Sequence, residues 1–587
     1  MDARKVLDPP YAFNLSPSHF FLQKENSDTT VVINRETNGI TVEEKHSQLP
    51  GKPKECYGFI GIAKFSFTNY VIVITQANYI GRIKDSYILQ IVDAEFMPYS
   101  SSQENPPERK KDDYFINLLL ELIRSKAFYF SYDYDLTHSM QRAANFSDKQ
   151  SASYLWERAD YKYFWNSFLS EDFMNAGASD VIIPIINGFV QAESIIIEGS
   201  PLEFILISRR DHRRAGTRFN TRGLDESGHA VNFVETEQII TCLRNGKVTV
   251  CSFVQIRGSI PLIWQQKPNL KWAPKPRVLG GVQQSSNAAF QHFTELHEVY
   301  SGISMINLID KSGSQKMMGN AFGELVEIVK DDKLSLIWFD FHHECKKMKY
   351  ENLSKLLAEV ETDLSNYQWC QLSVDEGLPF TRAEVVLNQN GVFRTNCMDC
   401  LDRTNVVQSV FARNVLHRQL YSLKIHSKPT GEAFQPFPEP LEDCFRSFWT
   451  NNADELSLLY SGTPALKTDF TRTGKRTIKG AINDGVNSVT RYNINNFMDG
   501  RRQNSLDAFL GKVSVKRTKA SLKGKFSSLY TALLTISALL FISHFTASHF
   551  SEGWGYYWGI FLVSSLALFK VAMIYGTALI DKPLLNS

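Results

Sequence analysis

Two long apolar segments near the C-terminus constrain the fold of this chain more than any other feature. Residues 526–545 contain no Asp, Glu, Lys or Arg, and a second apolar stretch, residues 554–580, is interrupted only by Lys570. About 20 helical residues at 1.5 Å each cross the ~30 Å hydrocarbon core of a bilayer. A buried hairpin in a soluble core is the alternative. We expect two transmembrane helices, residues 526–545 and 554–574, joined by a loop at residues 546–553.

Charges on either side of the first segment predict the orientation of this hairpin. Residues 511–525 carry six lysines and arginines, whereas the loop at 546–553 carries only Glu552 among Asp, Glu, Lys and Arg. Basic flanks stay on the cytosolic side of a membrane. We therefore expect a basic juxtamembrane linker at 511–525, a lumenal loop and a cytosolic tail at 575–587. The first ten residues lack an apolar run, so we expect no signal peptide and a cytosolic N-terminus.

Composition predicts a folded cytosolic body of two or three domains. Hydrophobic residues make up 43% of the 587 residues, and 64 basic residues nearly balance 62 acidic ones. A formal net charge of +2 gives no general attraction to nucleic acid, so any basic surface must arise from local clustering. The eight cysteines have no regular spacing, which suits a reducing compartment.

The body divides into two regions of different pattern. Residues 1–115 alternate short apolar and polar segments and predict a strand-rich N-terminal subdomain, with a polar loop at 100–113. Residues 116–510 alternate apolar strands with helical stretches such as 352–364, which predicts an α/β catalytic domain. The predicted strands include residues 180–186, 204–208 and 334–340.

One short segment, residues 394–405, holds a dense group of reactive residues. It reads RTNCMDCLDRTN, so Cys397 is followed by five residues and then Arg403, and a helical apolar pattern begins at Asn405. A loop that leads into a helix presents backbone N–H groups and the positive end of the helix dipole to an anion. We predict a Cys-x5-Arg phosphate loop at a junction between a strand and a helix.

Cys397 and Arg403 have the chemistry that phosphoryl transfer to cysteine needs. A free cysteine has a pKa of about 8.5, and this loop would favour the nucleophilic thiolate. Arg403 offers a planar fork that can bind two phosphate oxygens at once. Thr404 can donate its hydroxyl to the sulfur and assist its departure. A thiolate mechanism requires no magnesium, so we expect neither a metal nor a cofactor.

The same letters allow other interpretations. Cys397 and Cys400 form a CxxC pair, which can indicate a redox enzyme or half of a zinc site. The other six cysteines are scattered singly, so a zinc site lacks a second ligand pair. A structural loop is the third alternative. Asn396 before the cysteine, Thr404 after the arginine and the helix behind them favour the phosphate loop.

Two carboxylates within a predicted anion site need an explanation. Asp399 and Asp402 would repel a phosphate at close range if both were ionised and pointed inward. A neighbouring thiolate and phosphate would raise a carboxyl pKa, which suits a general acid that protonates the leaving oxygen. We predict that Asp402 or Asp399 has this role, and the sequence does not choose between them.

The segment RTNCMDCLDRTN resembles the signature of the Sac-domain phosphoinositide phosphatases. Further blocks that resemble this family are residues 232–238, 255–264, 339–345 and 465–476. With the membrane hairpin, the chain is most similar to the integral members of the endoplasmic reticulum and Golgi membranes. The resemblance implies hydrolysis of phosphatidylinositol 4-phosphate, and also of the 3-phosphate, with Cys397 as the nucleophile and Arg403 as the phosphate-binding residue.

The resemblance also implies a wider site and a set of partners. The residues expected to bind substrate are Met398, Cys400, Leu401, Thr404, Lys475 and Arg476. The expected partners are the phosphoinositide, the bilayer and proteins of contact sites or membrane trafficking. A protein-tyrosine-type phosphatase and a catalytically inactive membrane tether are the alternative functions.

Three further features have open interpretations. The basic cluster at residues 209–222 is either a lipid-facing surface or a solvated loop, and the block at 471–476 with Lys479 has the same two readings. His342, His343 and Glu344 are either structural residues or part of an active-site wall. The short linker at 511–525 favours action on the membrane in which the chain is anchored.

Overall fold

The structure is a computed structural model of the chain. The structure describes residues 8–45, 49–100, 106–146, 154–244, 246–378, 380–425, 435–466, 477–515 and 580–586.

The described part of the chain contains strands that fall into two sheets and one short ribbon. The strands are β1 (Tyr11–Leu15), β2 (His19–Lys24), β3 (Thr29–Asn34), β4 (Ile40–Glu44), β5 (Lys54–Cys56), β6 (Gly58–Lys64), β7 (Asn69–Ile83), β8 (Ser86–Pro98), β9 (Phe128–Phe130), β10 (Ile186–Ile197), β11 (Ser200–Arg210), β12 (Val234–Arg244), β13 (Lys247–Arg257), β14 (Trp264–Gln265), β15 (Arg277–Val278), β16 (Gly302–Asn307), β17 (Leu334–Trp338), β18 (Cys370–Asp375), β19 (Glu384–Leu387) and β20 (Gly391–Asn396).

Helices cover both faces of the larger sheet. They are α1 (Pro106–Ile123), α2 (Met140–Ala144), α3 (Leu155–Arg158), α4 (Ser167–Asn175), α5 (Gly281–His297), α6 (Gly313–Val329), α7 (Phe341–Glu344), α8 (Leu353–Tyr367), α9 (Asp402–Ser422), α10 (Leu441–Ser461), α11 (Ile478–Phe497) and α12 (Asp499–Phe509).

A small antiparallel sheet opens the described chain. Its strand order is β4-β3-β2-β1-β5. Alternate residues of these strands, such as Phe20 and Leu22, are buried in a core shared with α1, α4 and α12. A strand-rich N-terminal region is therefore present, in agreement with the sequence prediction.

The larger sheet mixes antiparallel and parallel strands. Its main order is β17-β16-β20-β13-β12-β11-β10-β9-β8-β7-β6, and β18 and β19 extend it from β13. Pairing from β6 to β13 is antiparallel, and some of these neighbours are joined by tight turns, such as the two-residue turn at Glu198 and Gly199. Both residues have positive φ, which matches the twist of a hairpin.

The parallel part of this sheet lies between two layers of helices. β20 pairs in parallel with both β16 and β13, and β16 pairs in parallel with β17. Val392 of β20 packs in the core with α5 and α6, while its neighbour Phe393 packs on the opposite side with α8 and α9. The mixed sheet with helices confirms the α/β class, and its parallel strands all end at one edge.

Two local predictions differ from the structure. Residues 106–113, predicted as loop, begin α1, because a proline at the first helical positions needs no N–H partner. The predicted boundary between residues 115 and 116 falls inside this helix. The predicted strand at 180–186 contributes only Ile186, because Asp180 lies in a short 3₁₀ turn and accepts hydrogen bonds from Ser27 and Thr29.

Within the described ranges, no helix is both long enough and apolar enough to cross a bilayer. The predicted spans at 526–545 and 554–574, with their loop, lie outside the described residues. The ends that flank them pack on the body. Val513 and Val515 are buried in the N-terminal core, and Asp581 donates its N–H to the Asn496 carbonyl at 2.9 Å.

Candidate active site

The candidate site lies where the parallel strands end. Asn396, the last residue of β20, is in register with Asn307, the last residue of β16, and Thr395 is in register with Arg257 at the end of β13. In sheets of this kind, ligands bind beyond the carboxyl ends of the parallel strands. The loops that follow β13, β16, β17 and β20 therefore converge on one edge of the sheet.

Cys397 is the first residue after β20, and α9 begins five residues later at Asp402. The predicted strand and helix on either side of this loop are both present. Cys400 has a φ of 53°, a left-handed conformation that only a few per cent of non-glycine residues adopt. In this conformation its N–H donates to Cys397 Sγ at 3.0 Å.

The Cys397 thiol is buried, and its surroundings favour the ionised form. Only 3% of the residue is exposed. Hydrogen bonding from Cys400 lowers the pKa of the Cys397 thiol well below its usual value, and the charge of Arg403 and the hydroxyl of Thr404 lower it further, whereas burial opposes the shift. The residue can therefore hold the thiolate that a nucleophile requires.

Cys400 has the opposite character. Burial raises the pKa of its thiol well above the usual value. The thiol donates to the Gly258 carbonyl at 2.9 Å, and Cys397 and Cys400 are not joined by a disulfide. Cys400 therefore stays protonated next to the Cys397 sulfur.

Asp399 is held by two arginines from the loop after β11. Arg218 donates to it through Nε at 3.0 Å and Nη2 at 2.7 Å, and Arg222 donates through Nη2 at 2.7 Å. Arg222 also binds the Met398 carbonyl at 2.8 Å. Burial opposes ionisation, but the two guanidinium groups hold the pKa of Asp399 well below its usual range. The Asp399 carboxylate is therefore ionised at neutral pH.

Asp402 is in a different environment. Its Oδ1 accepts the Leu466 N–H at 2.7 Å, and the nearest guanidinium nitrogen, Nη1 of Arg491, is 3.7 Å from its Oδ2. Burial raises the pKa of Asp402, the charge of Arg491 and the Leu466 N–H act against this shift, and the negative charges of Cys397 and Asp399 add to it. About 30% of the side chain is exposed, so a proton can be exchanged with solvent.

Arg403 lies at the same edge and contacts the loop that follows β16. Its Nη1 donates to the Leu308 carbonyl at 3.0 Å and to Asp310 at 3.1 Å. In the described part of the chain, Nε and Nη2 of Arg403 make no recorded hydrogen bond. These two donors form one side of the guanidinium fork and are available to a ligand.

A cavity of about 250 Å³ joins these groups. Cys397, Asp399, Leu401, Asp402 and Arg403 all line it. The other lining residues are Arg218, Phe341, His342, Tyr350, Val406, Leu466 and Arg491. Its volume is of the order of one sugar-sized headgroup, somewhat below the range usual for drug-sized ligands.

The other residues predicted to bind substrate have different positions. Met398 packs in the core beside α5 and α6, and Cys400 and Thr404 are buried without lining the cavity. Lys475 and Arg476 lie outside the described residues. Among the predicted binding residues that the structure describes, only Leu401 lines the cavity.

The sequence interpretation of the basic cluster was wrong for most of its members. Arg209 is fully buried and donates to Glu237 at 2.7 Å and to Glu235 at 3.2 Å. Arg218 and Arg222 contact Asp399 instead of a lipid or bulk water. The acidic partners are distant in sequence, so the local pattern gave no sign of the pairing.

Two further arginines, Arg257 and Arg394, lie behind the loop and were missed by the sequence analysis. Both are buried, and within the described ranges neither has a carboxylate partner. Burial lowers the pKa of each to about 10, and at Arg257 the nearby Cys397 thiolate acts in the opposite direction. The positive charge of Arg257 favours a thiolate at Cys397.

His342 belongs to the cavity wall, whereas its neighbours do not. Its Nδ1 is 2.9 Å from Asp310, the carboxylate that also contacts Arg403. His343 and Glu344 pair with each other at the surface. No group of three or more metal-ligating side chains occurs in the part of the chain that the structure describes.

Comparison with known proteins identifies the family. Residues 57–346 match the SacI homology domain. A phosphatidylinositol-3-phosphatase SAC1 of Drosophila melanogaster is 36% identical over 85% of this chain and 82% of its own length. The corresponding protein of Saccharomyces cerevisiae is 36% identical over 86% of this chain and 80% of its own length. The chain belongs to the Sac family.

Family membership confirms the resemblance found in the sequence. A phosphoinositide phosphatase SAC6 of Arabidopsis thaliana is also similar, with 34% identity over 82% of this chain. The chain is therefore a Sac-family enzyme, and the names of its relatives support the phosphoinositide phosphatase class.

Proposed function

We propose that this chain is a membrane-anchored phosphoinositide phosphatase that hydrolyses phosphatidylinositol 4-phosphate, and also the 3-phosphate isomer, through a phosphocysteine intermediate. The observation that carries the proposal is the buried Cys397 thiol of lowered pKa at the end of β20, in one cavity with Asp402 and Arg403. Several relatives carry the name phosphatidylinositol-3-phosphatase. The preference among ring positions is therefore part of the test.

In the first step the Cys397 thiolate attacks the phosphorus in line. The S–P bond forms as the bond from phosphorus to the inositol oxygen breaks. The leaving oxygen takes a proton from Asp402, whose raised pKa suits an acid. Arg403 binds two phosphate oxygens through Nε and Nη2 while Nη1 keeps its contact with Asp310.

In the second step water hydrolyses the phosphocysteine. The Asp402 carboxylate takes a proton from the attacking water, the P–O bond forms, and the S–P bond breaks with return of the thiolate. The Cys400 N–H and the Thr404 hydroxyl stabilise the departing sulfur. Phosphate then leaves, and Asp402 is again protonated for the next cycle.

Asp402 is the better candidate for the acid, because the surroundings of the two carboxyl groups shift their pKa values in opposite directions. Asp399 contacts two arginines and stays ionised, so it has no proton to give. Its contacts instead fix the loop backbone and bring Arg218 to the cavity wall.

The membrane anchor is proposed at the endoplasmic reticulum and Golgi, with both termini cytosolic. The packing of residues on both sides of the predicted hairpin supports this topology. Val515 is buried in the body, and Ile580 is buried after the predicted second span. A segment that leaves the body and returns to it crosses a bilayer an even number of times.

Phosphate release from defined lipids tests the function. Wild type should release phosphate from phosphatidylinositol 4-phosphate, and Cys397→Ser should lose this activity. Cys56→Ser is the matched control, because Cys56 is buried in the N-terminal region with its pKa raised to about 12 by burial. Preference for a phosphotyrosine peptide would favour a protein phosphatase, and inactive wild-type protein would favour the tether.

A further inference from the structure

An unusually basic loop surrounds an exposed tryptophan near the candidate site. Residues 265–280 contain four basic and no acidic residues. The basic side chains are all exposed and are those of Lys267, Lys271, Lys275 and Arg277. Trp272, in the middle of this loop, is 63% exposed. An exposed indole of this size among positive charges is a costly arrangement in water and a favourable one at an anionic lipid interface.

Helix α11 presents an apolar stripe that no described residue covers. Its members are 55% to 82% exposed and are Ile478, Ile482, Val486 and Val489. Their spacing of four, four and three residues puts them on one face of the helix. Gly480 and Gly485 lower the intrinsic stability of this half of α11, so a surface that packs on the stripe would stabilise the helix.

The loop and the helix form one surface. The Trp272 ring stacks on Tyr492 of α11, with 5.4 Å between ring centroids and 11° between planes. The Tyr492 hydroxyl donates to the Leu270 carbonyl at 2.7 Å. We name this surface the docking face. It consists of Trp272, Lys267, Lys271, Lys275, Ile478, Ile482, Val486 and Val489.

We propose that the docking face binds the surface of an anionic bilayer and inserts Trp272 and the α11 stripe into the interface. This inference rests on the proposed membrane function. The basic charges are complementary to the anionic cytosolic leaflet, and the apolar residues match the depth of an interfacial helix. A protein partner would need acidic side chains around an apolar groove, whereas a bilayer supplies both features on any approach.

The short connections to the predicted spans favour the bilayer as the occupant. Ile580 is buried on the body, and five residues, 575–579, separate it from the end of the second predicted span. Five extended residues reach at most about 17 Å. The ten residues at 516–525 reach at most about 35 Å. The body is therefore held against the membrane.

The docking face is mechanically linked to the cavity. Arg491 of α11 lines the cavity and lies near Asp402, and it also donates to Thr463 at 2.8 Å. The stripe lies on the same helix, and its far end, Ile478, is about 20 Å from Arg491. A bilayer that packs on α11 thus holds its headgroups near the cavity.

The test uses the full-length chain reconstituted in lipid nanodiscs that contain phosphatidylinositol 4-phosphate. In one set the remaining lipid is a mixture of phosphatidylcholine and phosphatidylserine, and in the other set the remaining lipid is phosphatidylcholine alone. Two variants disrupt the face: the triple replacement of Lys267, Lys271 and Lys275 by Gln, and the double replacement Ile482→Asp with Val486→Asp. Ile196→Asp is the control, because Ile196 of β10 is 67% exposed outside the face.

Hydrogen exchange and turnover give separate readouts. Phosphatidylserine should slow exchange in residues 265–280 and 478–489 of wild type by about tenfold, and both variants should lose this protection. Turnover of the bilayer lipid should fall at least about tenfold in the variants, while turnover of a soluble dioctanoyl substrate stays within about twofold. Ile196→Asp should behave as wild type.

Three results would overturn the proposal. The first is protection from exchange that is unchanged in the variants. The second is protection that depends on protein concentration and not on anionic lipid, and the third is a loss of turnover on the soluble substrate as large as the loss on the bilayer lipid. The second would indicate that another copy of the chain covers the face. Lipid-dependent protection in a wild type that hydrolyses neither substrate would refute the proposed function and leave the docking face supported.

Discussion

Replacement of Asp399 by asparagine should lower mainly stability, whereas replacement of Asp402 by asparagine should lower mainly the turnover of substrates with a poor leaving group. Asp399 accepts three charge-assisted hydrogen bonds, and Arg222, one of the donors, is almost completely buried. Removal of one partner from a buried ion pair costs about 3–5 kcal/mol. Because about 20% of the Asp399 side chain is exposed and asparagine keeps one acceptor oxygen, we expect the lower end, about 3 kcal/mol.

Asp402→Asn should change stability little and turnover strongly. Asparagine can still accept the Leu466 N–H, and it removes a carboxylate whose ionisation burial disfavours. We expect the free energy of unfolding to change by less than about 0.5 kcal/mol. The loss of a general acid should lower turnover of a phosphoinositide about a hundred- to ten-thousandfold, because an alkoxide is a poor leaving group. p-Nitrophenyl phosphate needs little help from an acid and should lose less than about tenfold.

Urea denaturation and turnover on both substrates measure these effects in parallel. The two variants are matched in chemistry, so each serves as the control for the other. Asp399→Asn should lower turnover on the two substrates by similar factors, because it displaces the loop. The assignment of the acid would be refuted if Asp399→Asn lost much more turnover on the phosphoinositide than on p-nitrophenyl phosphate. It would also be refuted if Asp402→Asn lost turnover equally on both substrates.

Three further predictions concern pH. The pH profile of kcat/KM should fall at low pH as the Cys397 thiolate is protonated and fall at high pH as Asp402 loses its proton, so Asp402→Asn should lack the alkaline limb. Arg257→Gln should raise the pKa of Cys397, seen as a shift in the pH dependence of inactivation by iodoacetamide; an unchanged midpoint would contradict the role of that charge. Burial raises the pKa of Glu455 from 4.5 to about 7, so the stability it contributes is complete below about pH 4.5 and lost as pH rises through 7. Glu455→Gln should therefore be more stable than wild type at pH 8, by at most about 3 kcal/mol in urea denaturation, and equal stability there would refute this.

The sequence predicts those parts of the site that depend on neighbouring residues. Cys397 and Arg403 are close in the chain, and the apolar patterns on either side of them are local, so the strand, loop and helix were predictable. The two arginines that bind Asp399 precede it by 181 and 177 residues. A local reading treats such arginines as surface residues, because nothing near them in sequence indicates a buried acidic partner.

The same limit applies to the start of α1. The polar run at 100–113, with two prolines, looks like a loop when only neighbouring residues are considered. Asp112, within that run, is fully buried and accepts the backbone N–H groups of Ser66, Phe67 and Thr68. A tertiary contact of this kind overrides local composition, and periodicity does not reveal it.

The two aspartates that seemed to weaken the anion site have different electrostatic consequences. Asp399 gathers two guanidinium groups around one carboxylate, so this cluster contributes a net positive charge beside Cys397. Arg218, one of the pair, lines the cavity. Arg218 and Arg222 contact Asp399 and not Asp402; burial raises the pKa of Asp402 against the opposing charge of Arg491, and the thiolate adds to the rise. A carboxylate fixed in its ionised form therefore attracts the phosphate by holding arginine in place, and its negative charge helps to keep the proton on the neighbouring acid.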